Sequence, residues 1–337
     1  MNRTRSLIKY VLTKILLSPI ILITSSSLVF LLLRVAPGDP VDAILGLRAD
    51  EIAREALRTN LGLDKPLINQ YFSFIYDLLH LNLGESLISK EPVINIIFRS
   101  LPATTELTIV SVLLAIIIGS TIGLIGIKNN KFDVFSRLWG ITTYAIPPFW
   151  AAMIVQIIFS VKLKLLPIGG RFPFYENEPR ITGFMLVDSL LSNDFFALRS
   201  SLLHLLLPSL TMAVLISGVF SRSLKMNLEE ALNSDYVEAA KCRGINDRRI
   251  LINHALPNAL IPILTLSGLT IASLAGGALL IEVVFSWPGI ALRLQEAIQQ
   301  RDYNVVQGIV IVIAFIIVLI NTLVDIIIAI IDPRVRF

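Results

Sequence analysis

Apolar residues in this chain gather into six long runs, at about 15–33, 107–127, 134–161, 202–220, 259–281 and 305–331. Each is close to or above the ~20 residues that a helix needs to cross the hydrocarbon layer of a bilayer. The segments between them are too polar to cross. The pattern predicts an all-α integral membrane protein with six transmembrane helices. Two of the connections are long, 34–99 and 162–200. In the first, Asp50 is placed to cap a short helix through Thr59. Pro66 opens a further helix on which Tyr71, Ile75, Leu78 and Leu79 mark an apolar stripe. The second contains Pro167, Gly169, Gly170, Pro173 and Pro179 and is expected to be largely irregular.

Composition agrees with the pattern. Of 337 residues, 55% are hydrophobic and only 16% charged, where a soluble domain carries about a quarter. The net charge of +4 does not mark a nucleic-acid footprint, because the positive residues are not clustered as one. They are distributed by side. Arg3, Arg5, Lys9 and Lys14 precede or open the first run, and Lys128, Lys131 and Arg137 lie at the second connection. Arg222, Lys225, Lys241, Arg243, Arg248 and Arg249 follow the fourth run, and Arg334 and Arg336 follow the sixth. With six spans these four segments share one face, and a Lys/Arg excess marks the cytoplasmic face. Both termini are therefore expected in the cytoplasm. The long connections, where acids roughly balance bases, are expected outside, with Ser189 reachable from there. The first run is too long for a signal-peptide core and no small-x-small site follows it, so it is expected to be retained. The single cysteine, Cys242, excludes an internal disulfide.

Catalytic signatures are missing. There is no G-x-x-x-x-G-K-[ST] phosphate loop, no H-E-x-x-H and no G-x-S-x-G. His80, His204 and His254 are too far apart in sequence to suggest a metal cluster. Glu106 reads as a lone carboxylate at an interface. Asp325 is the only ionisable residue well inside a span, about 10 Å from the helix end, and a structural hydrogen-bonding role is expected for it. No catalytic residue, cofactor or metal site is expected. Ala115, Gly119 and Gly123, and again Gly268, Ala272 and Gly276, recur every fourth residue, as in helices whose backbones approach closely.

The most informative segment is 235–258, DYVEAAKCRGINDRRILINHALPN. Tyr236 to Cys242 favours helix. Gly244 suits a left-handed helix end. Asn246 or Asp247 can cap a second short helix running to about Leu256. The two alanines of Glu238-Ala239-Ala240 leave a bare patch for another protein surface. The spacing Glu-Ala-Ala, three residues, Gly, nine residues, His254, one residue, Leu256-Pro257 resembles the EAA loop of the membrane subunits of ABC importers. His at that position is familiar in the dipeptide, oligopeptide and nickel branch. Leu61-Gly62-Leu63-Asp64-Lys65-Pro66, Asn82-Leu83-Gly84-Glu85-Ser86, Glu91-Pro92-Val93, Leu165–Gly170, Phe285–Gly289 and Asp325 with Asp332-Pro333-Arg334 resemble the same branch.

The resemblance implies a type I ABC importer permease fold with an extracytoplasmic insertion between helices 1 and 2. Its divisions are 1–98 (first helix and insertion), 99–331 (five-helix permease domain, EAA loop 222–258) and 332–337 (cytoplasmic tail). It implies a non-catalytic subunit of the cell inner membrane, embedded in lipid. A second homologous permease subunit, two cytoplasmic ATP-binding subunits and an extracytoplasmic substrate-binding protein are its implied partners. Glu238, Ala239, Ala240, Gly244, Leu256 and Pro257 are the implied coupling residues. Di- and oligopeptides are the expected cargo, with nickel or metal chelates or glutathione as the alternative. The weakly polar Thr142, Thr143, Gln156 and Thr265 suit a solute released rather than held. An ion-coupled secondary transporter fits less well, since the span midplanes lack charge. A membrane-embedded enzyme would need paired catalytic side chains at one depth.

Overall fold

The computed structural model describes residues 2–35, 40–46, 49–128, 130–173 and 181–331. Among these residues the chain is helical with no strand; one isolated antiparallel bridge joins Glu85 and Pro92. The tail motif at 332–334 lies outside the described residues.

Among the described residues, five helices are long and apolar enough to cross a membrane. They carry the stretches Leu12–Val35, Val93–Ile127, Phe195–Leu232, Asp247–Leu274 and Tyr303–Ile327. They belong to α1 (Asn2–Val35), α5 (Val93–Lys128), α9 (Phe195–Leu232), α11 (Asp247–Ile250) with α12 (Leu256–Gly277), and α15 (Tyr303–Ile331). The expected third span is not one rod. α6 (Asn130–Ala145) and α7 (Pro148–Gln156, continued as a π segment Ile157–Lys162) meet at a 97° bend. Pro147 and Pro148 are the cause: a proline disfavours helical geometry in the residue before it and removes a backbone donor. The apolar run continues through the break, so hydropathy alone does not reveal it.

The bundle is held by close backbone crossings. α5 packs along α9, and a Cβ on Gly119 would sit 2.4 Å from the Ser217 carbonyl oxygen. One on Gly123 would sit 2.8 Å from that of Ser221. α9 crosses α6 where Gly218 meets Gly140 and Thr143, and Gly268 of α12 meets Val324 of α15. Small residues permit this approach, and with it the dispersion contacts that must hold helices together in lipid. Lys14 of α1 pairs with Asp325 of α15, so the acid inside the last span has a cationic partner 311 positions away.

At the other end of α1, α2 (Pro40–Leu45), α3 (Glu51–Asn60) and α4 (Leu67–Leu79) lie in the connection to α5. The Asn82–Val93 stretch folds back through the Glu85–Pro92 bridge and docks on the start of α15. Asp302 accepts from Ser86 Oγ at 2.5 Å and from Leu87 N at 3.1 Å, and Asn304 Nδ2 donates to the Glu85 carbonyl at 2.8 Å. Gly84 sits in this contact with φ +72°.

Three further buried carboxylates tie this end together. Glu106 of α5 is not lone: it accepts from Arg171 Nη2 at 2.5 Å and from Leu186 N at 2.8 Å. Asp188 of α8 (Met185–Leu191) accepts from Ile181 N, Thr182 N, Thr182 Oγ1 and Gly183 N at 2.6–3.1 Å. Burial alone would raise this carboxyl; the bonds from Thr182, Ile181 and Gly183 outweigh it and hold it below the usual carboxylate range. Glu282 of α13 (Leu279–Val284) accepts from Thr104 Oγ1 at 2.6 Å and from Ala291 N and Leu292 N at 2.9 and 3.0 Å. It thereby satisfies the free amides at the start of α14 (Ile290–Gln299). Trp287 is buried between these elements, its indole donating to the Ala103 carbonyl at 2.9 Å. Ser189, expected to be reachable from solvent, is instead 1% exposed, turned inward beside Asp188.

Candidate functional site

The charged connection after α9 folds as a helix pair. Two residues, Asn233 and Ser234, separate α9 from α10 (Asp235–Cys242). The end of α10 closes by a double bond pattern: Gly244 N donates to Lys241 O at 2.9 Å and Ile245 N to Ala240 O at 3.2 Å. This closure requires a left-handed residue at the turn, and Gly244 supplies it with φ +75°. Asn246 then caps α11 (Asp247–Ile250), its side-chain oxygen accepting from Arg248 N at 2.9 Å.

The second helix does not stop near Leu256. A π segment, Leu251–Ala255, carries it directly into α12 (Leu256–Gly277). Pro257 has no N–H for the Asn253 carbonyl and its ring would strike that oxygen; widening the turn relieves both problems.

The inner faces of the pair form a small apolar cluster of Val237, Ala240 and Ile250, with Leu232 and Ile245 against it. Tyr236 Oη accepts from Asn258 Nδ2 at 3.2 Å, joining α10 to the start of α12. The structure therefore divides the six motif residues. Glu238, Ala239, Gly244 and Pro257 are exposed. Ala240 is buried inside the pair, and Leu256 is half-buried against the bundle core beside Ala255 and Ala259. The bare patch is thus one alanine, Ala239, and not two: Ala240, about 100° further round the helix, turns onto Val237 and Ile250. Around Ala239 and Gly244 the exposed residues are mostly charged: Lys241, Arg243, Asp247, Arg248 and Arg249. Two turns before the end of α9, Lys225 pairs with Asp133 of α6, which also holds Arg137. The platform contains no nucleophile–base pair. It presents a charged, exposed surface.

The weakly polar residues of the spans separate in the same way. Gln156 donates to the Ile168 and Val284 carbonyls at 2.7 and 3.0 Å, and so fastens the turn after the third span. Thr143 is buried and donates to the Trp139 carbonyl at 2.8 Å. Thr142 is exposed and Thr265 half-buried. Among the described residues no group of three His, Cys, Asp or Glu side chains is placed to hold a metal ion.

Comparison with known proteins covers nearly the whole chain. The profile of the binding-protein-dependent transport system inner membrane component covers residues 111–337, and that of its N-terminal part covers 7–108. The chain belongs to this family. It is an ABC transporter permease, and its apolar helices are those of a multi-pass membrane protein. Among its relatives is the di/tripeptide transport system permease protein DppB of Pseudomonas aeruginosa, 39% identical over 92% of this chain and 93% of that one. The probable D,D-dipeptide transport system permease protein DdpB of Escherichia coli is 37% identical over 91% of each. The dipeptide transport system permease protein DppB of Alkalihalophilus pseudofirmus is 36% identical over 98% of this chain and all of its own.

The buried acids were the residues hidden from sequence reasoning. Glu106 reads only as an isolated charge, Glu282 stands at the end of the apolar run 259–281, and Asp302 sits beside Arg301 in a polar stretch that suggests exposure. A partial signal exists in the Thr104–Glu106 and Ser286–Gly289 stretches, where polar residues adjoin long apolar runs.

Proposed function

We propose that the chain is one of two similar membrane subunits of an ATP-driven importer of di- and oligopeptides. The observation that carries this reading is that permeases named for dipeptide or tripeptide transport align with more than nine tenths of its length. Two cytoplasmic ATP-binding subunits hydrolyse ATP, and an extracytoplasmic binding protein delivers the solute. This subunit is non-catalytic and turns closure of the ATPases into alternating access. Residues 1–98 are the first helix and insertion, 99–331 the permease domain and 332–337 a cytoplasmic tail.

The helix pair α10–α11 is the coupling surface in this proposal. Glu238, Ala239, Gly244 and Pro257 face the ATPase. Ala240 and Leu256 stand behind them and fix the pair to the bundle. Exposure of the first four, and the Schellman-type closure at Gly244, support this assignment.

Growth of an amino-acid auxotroph on peptides as the sole source of the required amino acid is expected to depend on this gene. Unchanged peptide uptake in a deletion strain, with lost nickel or glutathione accumulation, would transfer the reading to those solutes.

Orientation has its own test. Ser192 is exposed in the outer connection, unlike Ser189. In intact cells, Ser192→Cys is expected to react with an impermeant thiol reagent. Cys242, exposed on α10, is expected to react only after permeabilisation. Labelling of Cys242 from outside would invert the topology and remove the coupling assignment.

A further inference from the structure

The insertion helix α4 has three faces, not two. Tyr71 and Phe74 pack on α1: both rings lie against Phe30, with centroids 5.5 and 5.4 Å away, and Tyr71 Oη bonds Ser27 Oγ at 2.7 Å. Asn69, Gln70, Ser73, Asp77 and His80 make a polar face. Ile68, Phe72, Tyr76 and Leu79 make a third. They recur at i, i+4, i+8 and i+11 on one side of the helix and are each about two-thirds exposed, 64–67%. An aqueous cap would gain nothing from leaving four large apolar side chains in water, since burying apolar surface is what stabilises a fold.

The depth of the α1 contact identifies what covers them. Arg34 marks the outer end of the first span; it donates to Gln70 Oε1 at 2.8 Å. Ser27 and Phe30 lie seven and four residues further into that span, so Tyr71 reaches about 10 Å below Arg34 by the helical rise. The same stretch of α1 exposes Leu28, Leu31 and Leu32, as a lipid-facing helix does. A helix fastened at this depth, with a polar face on one side and an apolar face on the other, has the form of an interfacial helix, which buries its apolar side about 5–10 Å into the headgroup boundary. Tyr71 and Tyr76 are suited to that zone, with an apolar ring and a polar tip.

We propose that α4 lies in the outer leaflet of the membrane, with Ile68, Phe72, Tyr76 and Leu79 in contact with lipid. The occupant of the apolar face is the bilayer itself, and the insertion is anchored by lipid as well as by α1.

The test uses single spin-labelled cysteines in the Cys242→Ser background, in the assembled complex reconstituted into liposomes. At Ile68→Cys and Phe72→Cys, collisions with oxygen are expected to exceed those with a water-soluble nickel chelate several-fold. At Asn69→Cys and Ser73→Cys the ratio is expected to reverse. Equal access of the chelate to all four sites would overturn the proposal in favour of an aqueous face. Shielding of positions 68 and 72 from both reagents would overturn it in favour of a protein partner.

Discussion

Gly244→Val is expected to leave the protein in the membrane and stop import. Nothing lies within 4 Å of a Cβ placed on Gly244, so the substitution meets no steric obstacle. The penalty is in the backbone. At φ +75° a β-branched residue is strained by about 1–2 kcal/mol, and a turn of this size relaxes by unwinding the closure between α10 and α11. The two bonds from Gly244 N and Ile245 N are lost with it, and the apolar cluster of Val237, Ala240 and Ile250 loses its registration. Asn tolerates left-handed geometry far better, so Gly244→Asn is expected to retain much of the transport that valine abolishes. Uptake assays beside quantified membrane protein and ATPase co-purification check this. Wild-type import by a normally assembled valine variant would remove Gly244 from the coupling surface.

A second substitution is expected to act through folding instead. Gly119→Val would place a Cβ 2.4 Å from the Ser217 carbonyl oxygen and 2.8 Å from Phe220 Cβ. Both neighbours belong to α9, and the first is backbone, so no rotamer change relieves the clash. α5 and α9 would have to separate where they form the most extensive pair in the bundle. Overpacking of this kind costs about 1–3 kcal/mol or more, which is a large share of a marginal stability. Steady-state membrane protein is expected to fall sharply, while Thr121→Val, on the exposed side of the same helix, is expected to leave it unchanged. Equal levels for the two variants would show that the helices part here without cost.

Much of the architecture is legible in the sequence because lipid imposes a simple rule. Apolar runs of sufficient length must be helices, and hydropathy places five of them where the long helices lie. The turn at Gly244 and the cap at Asn246 are legible because local backbone chemistry determines both. The break at Pro147-Pro148 is not, because two half-helices and one straight span have the same hydropathy. Nor does the repeat Ala239-Ala240 reveal which alanine turns inward, since that depends on where α11 packs. The buried acids were hidden for a different reason. Glu106 meets Arg171 65 positions later and Asp302 meets Ser86 216 positions earlier. A charge beside an apolar run looks solvated until its distant partner is known.

The continuity of α11, the π segment and α12 has a mechanical consequence. From Asp247 to Gly277 the backbone is helical without interruption, whereas α10 is joined to α9 through two non-helical residues. Displacement of the helix pair therefore meets a stiff member on one side and a pliant joint on the other. In the coupling proposed above, load applied to the helix pair would travel into α12 as tilt or translation, while α9, held against α5 at Gly119 and Gly123, would stay behind as the fixed member.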